Sequence, residues 1–200
     1  MRMIVTVTRL RVLGPDDLDD RQAAMWESIL AGPRGANLKG PARALDGPFN
    51  AWLYSPVAGE RAGALGEELR FRVSIPDGLK ELAIVVAGAR WHAEYEFWGH
   101  SRLAQKHGIP RAVIDAVRDG RRPDFHDQDQ AFVYDFVHPL VTDGFVGDEA
   151  YARARERFGD QGVVELALLA GYYTMVSLTL NAFAVPLPAG VEPAWPAPPA

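Results

Sequence analysis

Two imidazoles and two carboxylates crowd the segment His92 to His100, threaded among Trp91, Tyr95, Phe97 and Trp98. Acid–base chemistry needs a group that takes and gives a proton near neutral pH, and imidazole is the side chain whose unperturbed pKa lies there. If the segment is helical, Glu96 and His100 stand one turn apart on one face with His92 a further turn back, because side chains at i and i+4 stack along the axis. A carboxylate beside the ring raises the His pKa, and desolvation by Trp91, Phe97 and Trp98 raises that of Glu96, so both move toward neutrality. Glu81 lies in the otherwise largely apolar stretch Leu79 to Val86. A buried acid must find a partner, and the following helix offers the nearest charged groups. His100 is therefore the candidate general acid/base, Glu96 the group that tunes and orients it, and Glu81 the third member of the relay. His92, Tyr95, Trp98, Asn50, Trp52 and Tyr172 are candidates for lining a substrate pocket.

Two other readings of the same residues stand beside this one. His92, Glu96 and His100 at i, i+4 and i+8 offer three ligands to zinc or iron. Against that, His92 falls at the helix boundary and no second dense His/Asp cluster follows, His107, His126 and His138 being isolated; no metal and no cofactor is expected. The cluster also suits a non-catalytic small-ligand-binding or oligomeric scaffold protein, since a His or Glu beside an aromatic cluster is often only a satisfied structural group.

Composition narrows the chemistry. The chain has no cysteine, which excludes disulfides, thiolate metal sites and Cys nucleophiles by atom inventory. A formal charge of -5 with scattered Lys and Arg gives no phosphate-binding surface, so no nucleic acid partner is expected. Met1 to Leu13 is short, carries Arg2, Arg9 and Arg11 and lacks an apolar core with a cleavage site, so a cytoplasmic location is expected. The apolar run Val163 to Val185 is interrupted by Glu165, Thr174, Ser177, Thr179 and Asn181, which predicts a buried helix and no membrane span.

The elements that must position the cluster read as helices in a single domain over 1–200, with an extended arm at 1–14, a helical core over 15–185 and a Pro-rich extended tail at 186–200. Asp16, Asp17, Asp19 and Asp20 crowd the start of a helix ending at Gly32 and Pro33. Residues 33–47 read as loop, 49–54 as a short helix, and Pro56 opens another with Ala58, Ala62, Leu65 and Leu69 at helical spacing. Asp77 is expected to cap a core helix from Leu79 to about Arg90. A helix over 93–107 should end at Gly108, whose freedom at positive φ suits a helix C-terminus. Helices at about 110–117, 127–142, 148–157 and 160–183 complete an all-α fold.

Leu79 to Ile84 and Glu94 to His100, with the helix running on to Gly108, Ile109 and Pro110, resemble the carboxymuconolactone decarboxylase and alkylhydroperoxidase-D-like superfamily. Its peroxidase branch carries an early Glu, a Cys-x-x-Cys pair at the start of a helix, and a His four residues after the second Cys. Those positions fall without a gap on Glu81, Ala93, Glu96 and His100 of this chain. Both thiols are replaced, so the resemblance implies the cysteine-free, lactone decarboxylase branch and no thiol peroxidase. The implied activity is that of a cofactor-independent carbon–carbon lyase, a decarboxylase acting on a small carboxylated or lactone-type substrate. The resemblance covers 77–117 closely and 127–185 more loosely, where Glu165, Tyr172, Tyr173 and Asn181 to Phe183 suit the family's final helix. It implies an alkylhydroperoxidase-D-like helical bundle and a homo-oligomer, a dimer, trimer or hexamer, in which 79–90 and 163–185 pack across subunits. Glu81 to Val85 echoes Glu165 to Leu169, so a duplicated helical hairpin is a further possibility that the motif alone leaves open.

Overall fold

Asp19 starts the first helix as the crowded aspartates predict. Its carboxylate accepts from the backbone N–H of Arg21 and Gln22, while the Gln22 side chain accepts from the N–H of Asp19. This reciprocal box satisfies donors that have no partner inside the helix. The computed structural model describes residues 8–35 and 45–196. Residues 1–7 of the expected arm, 36–44 of the expected loop and 197–200 of the tail lie outside the described residues. Among the described residues eight α-helices follow a 3-10 turn at Pro15–Asp17: α1 (Asp20–Ala31), α2 (Phe49–Leu53), α3 (Pro56–Phe71), α4 (Asp77–Arg90), α5 (Glu94–Lys106), α6 (Arg111–Arg118), α7 (Gln128–Thr142) and α8 (Asp148–Ala182). Among the described residues there is no strand. The chain separates into two compact units, Met1–Arg72 with Thr179–Pro186, and Val73–Leu178 with Leu187–Ala200.

In the first unit, α3 packs on α1 and α2. The approach is tight at Gly59, where an added Cβ would lie 2.7 Å from both the Cβ and the carbonyl oxygen of Trp52 and 2.8 Å from Met25 Cε. Gln22 Nε2 donates to the carbonyl of Leu53, which ties α1 to the end of α2. The described part of the arm is fixed by polar contacts. Thr8 Oγ1 and the Arg9 N–H donate to the carbonyl of Phe183, Arg9 Nη1 donates to that of Ala182, and the Leu13 N–H donates to Asn50 Oδ1.

In the second unit α4 is the central element: every residue from Leu79 to Ala89 is buried, and α5, α6 and α7 pack against it. Asp77 does not cap this helix. Pro76 holds the cap position, Asp77 is the first helical residue, and its carboxylate pairs with Lys80 Nζ at 2.6 Å. Gly108, at φ 90, ends α5 as expected, with the Ile109 N–H returning to the carbonyl of Ala104. The helices expected at 148–157 and 160–183 run on as α8, broken at Gly159, whose φ of 71 and ψ of 179 are accessible almost only to glycine.

Ala154, Val163, Leu166 and Ala170 of α8 join the core of α4, α5 and α7. Glu165, the echo of Glu81, does something else: Oε2 accepts from the Ser74 N–H and hydroxyl at 2.8 and 2.6 Å. Burial raises its pKa, but the bonds from Ser74 and Gln161 outweigh this and hold the carboxyl below its ordinary range. By length and composition α8 is able to cross a membrane, its apolar 18-residue window having a mean hydropathy of 1.6 and being 50% buried.

Two of the three glycines of α3 make the packing testable. Gly59→Ala drives a methyl into backbone and should lower unfolding free energy by about 1–3 kcal/mol in denaturant titrations. Gly63 has open space around its Cβ position, so Gly63→Ala should raise stability by up to about 1 kcal/mol.

Candidate active site

The turn between α4 and α5 sets the register of the site. His92 takes φ 46, the Ala93 N–H bonds to the carbonyl of Gly88, and the His92 N–H bonds to that of Ala89. This is the six-to-one and five-to-two pattern that closes a helix on a left-handed residue, here built on a His where glycine is usual. His92 therefore stands in the turn and off the helical face that Glu96 and His100 share. The tight reversal lays α5 back along α4, so that Gly88 faces the Glu96 side chain, with Cγ 3.6 Å from where a Cβ would sit. Two turns earlier on α4, Glu81 meets His100.

The imidazole of His100 is bracketed by both acids. Nδ1 lies 2.5 Å from Glu81 Oε2 and Nε2 lies 2.9 Å from Glu96 Oε1. All three residues are buried, at 4%, 4% and 8% exposure for Glu81, Glu96 and His100. The two contacts differ in kind. The Glu81 contact is an aligned hydrogen bond, whereas Glu96 Oε1 is within ion-pair distance yet has no aligned donor, so it acts on the ring mainly by charge. Glu81, more than Glu96, is thus the group that orients the ring. Burial pulls the His100 pKa down, but the charge of Glu96 and the hydrogen bond and charge of Glu81 outweigh it, leaving the pKa above its ordinary value. Both ring nitrogens thus face carboxylate oxygens.

Tyr173 of α8 closes the site, its ring set edge-on to His100 at 5.1 Å between centroids. The neighbouring Tyr172, the candidate that the sequence offers, is buried and packs edge-on against Tyr173 at 5.2 Å. Tyr95 and Trp98 are half-buried on another stripe of α5, in ring contact with each other at 5.7 Å, with the Arg102 guanidinium 5.2 Å over Trp98. Asn50 and Trp52 belong to the first unit. The Asn50 amide is engaged by the arm, accepting from the Leu13 N–H and donating to the carbonyl of Arg11, and Trp52 packs edge-on to Phe49 at 5.4 Å.

His92 stacks on Trp195 of the C-terminal segment, 4.8 Å between centroids at 12°. Among the described residues no group of three or more His, Asp or Glu is placed to hold a metal ion. A surface depression of about 360 Å³ lies at the break in α8, between Tyr151, Arg155 and Asp160, and includes none of these candidates.

No family model matches the chain, and no curated protein is significantly similar to it in sequence. Its structure is similar to the crystal structure described as the alkylhydroperoxidase AhpD core of an uncharacterized peroxidase-related protein from Ralstonia eutropha JMP134. The TM-score is 0.69 at 15% identity, over 90% of this chain and 92% of that one. At this identity the likeness carries the fold: the chain is an all-α protein with the alkylhydroperoxidase-D-like architecture, and it has no cysteine.

Proposed function

We propose that Glu81, His100 and Glu96 form the acid–base centre of a cofactor-independent lyase, decarboxylase-like in its chemistry, acting on a small carboxylated or lactone-type molecule. The observation that carries the reading is one buried imidazole held between two buried carboxylates on adjacent helices, in a chain without thiols. The carbon–carbon bond to the substrate carboxylate breaks, its electron pair stays on the skeleton, delocalised through an α,β double bond of the ring into the lactone carbonyl, and carbon dioxide leaves. Nε2 of His100 then gives its proton to the carbon. Glu81 holds Nδ1 throughout, and the ring regains its proton from water. The balance needs no oxidant, reductant or cofactor. Negative charge at Glu96 disfavours a bound carboxylate more than the neutral product, which assists loss of carbon dioxide.

The test is release of carbon dioxide from α,β-unsaturated γ-carboxylated lactones, with deuterium from heavy water appearing on the carbon skeleton of the product, at the carbon α or γ to the lactone carbonyl. His100→Gln should lower turnover by about 10²–10⁴-fold. Glu81→Gln keeps the shape and removes a charge, so the His100 pKa falls and the alkaline limb of the pH–rate profile moves to lower pH. Wild-type protein that releases no carbon dioxide, or variants that turn over at the wild-type rate, would contradict the reading. A cluster that only stabilises a ligand-binding scaffold would be left.

Stability is affected either way. His100→Gln leaves two buried carboxylates facing one another and should cost about 3–5 kcal/mol. Because the folded His100 pKa is raised, its contribution is fully present below the unfolded value of about 6.5 and is lost as pH rises through the folded value. Denaturant titrations across that range should show this slope in the wild type and lack it in His100→Gln.

A further inference from the structure

Glu96 occupies a weak place in its helix. It is the third residue of α5, inside the first turn, where backbone N–H groups have no partner within the helix. The cap residue is Ala93, which has no side chain able to accept from them. The residue before it, His92, is in the left-handed region at φ 46, which costs about 1–2 kcal/mol for a residue with a Cβ. A helix end of this kind frays, and fraying here would carry the Glu96 carboxylate away from His100.

The C-terminal segment lies on this turn. Both carboxylate oxygens of Glu94 are taken, accepting from the N–H of Ala194 at 2.8 Å and of Trp195 at 2.9 Å. The Trp195 indole stacks on His92, sets itself against Phe97 at 4.7 Å and 61°, and donates Nε1–H to the carbonyl of Arg118 at the end of α6, 3.1 Å away. One short segment thus grips the strained turn residue, the first residue of α5 and the fourth, and the residue between the last two that reaches inward is Glu96.

We propose that Trp195 is a positioning residue for the Glu96–His100 pair: docked on His92, Glu94 and Phe97, the C-terminal segment pins the uncapped first turn of α5 and holds Glu96 in register with Nε2 of His100. The inference rests on the reading of this cluster as the working site, but it concerns the geometry of the cluster and is measured without turnover. The other groups facing the ring are Glu81 from α4 and Tyr173 from α8, which hold it independently of the turn that Trp195 grips.

The test is the titration of the His100 ring followed by NMR of its ring nitrogens in the full-length protein. In Trp195→Ala the midpoint should fall toward the ordinary histidine value, because the charge of Glu96 no longer bears on Nε2. Trp195→Phe, which keeps ring stacking, should restore most of the wild-type midpoint. In a Glu96→Gln background Trp195→Ala should produce no further fall, which isolates the route through Glu96. An unchanged midpoint in Trp195→Ala, or an equal fall with and without Glu96, would overturn the proposal and leave Trp195 as an anchor of the fold. If Trp195→Ala does not fold, Glu94→Gln loosens the same segment with the indole in place: a smaller fall supports the proposal, and no change overturns it. A shifting midpoint in a protein that turns over no lactone would keep the positioning role and remove the enzymatic reading.

Discussion

A buried imidazole bracketed by two buried carboxyl groups is the interaction on which the structure around it depends. A lone buried charge is strongly unfavourable, and removing one partner from a buried pair leaves another uncompensated. Glu81, Glu96 and His100 are tolerable in the interior only together, with Nδ1 and Nε2 each facing an acid. Their mutual distances are therefore a constraint that α4 and α5 must meet, and the turn joining those helices carries a strained His to meet it.

Support for the cluster arrives from three directions. The buried run from Leu79 to Ala89 of α4 shields Glu81 from solvent. Tyr173 of α8 covers the ring edge-on, which keeps the local dielectric low and the charges of the acids strongly felt. The C-terminal segment holds the opening turn of α5 from outside through Glu94 and Trp195. The asymmetry of the two acids follows from this frame: an aligned bond at Nδ1 that orients the ring, and a charge at Nε2 whose hydrogen bond is not fully made. A ring held on one side and less firmly engaged on the other is suited to giving a proton from the second nitrogen.

Much of this was legible in the residues. Helical spacing identified α3 and the core helix, Gly108 marked the end of α5, and a lone acid on an apolar helix pointed Glu81 toward the cluster. The spacing of Glu81, Ala93, Glu96 and His100 also anticipated the architecture shared with the solved structure. What escaped was set by geometry that spacing does not encode. Asp77 resembles a cap residue, but Pro76 favours the extended conformation that a cap position requires and took it instead. His92 reads from sequence as a boundary residue, but its left-handed conformation is set by backbone bonds to Gly88 and Ala89 that spacing does not reveal.

Tyr172 and Tyr173 are adjacent aromatics, and a rotation of one residue about α8 decides which meets His100. Trp195 sits between prolines and reads as a tail. Its one available signal was a large aromatic with no neighbours to pack on, a side chain that gains most by burial elsewhere. The central claim concerns where protons sit, and neutron diffraction on deuterium-exchanged crystals at neutral pH observes them directly. Deuterium on both Nδ1 and Nε2 of His100, with Glu81 and Glu96 unprotonated, is the predicted result; a neutral ring carrying a single deuterium would contradict it.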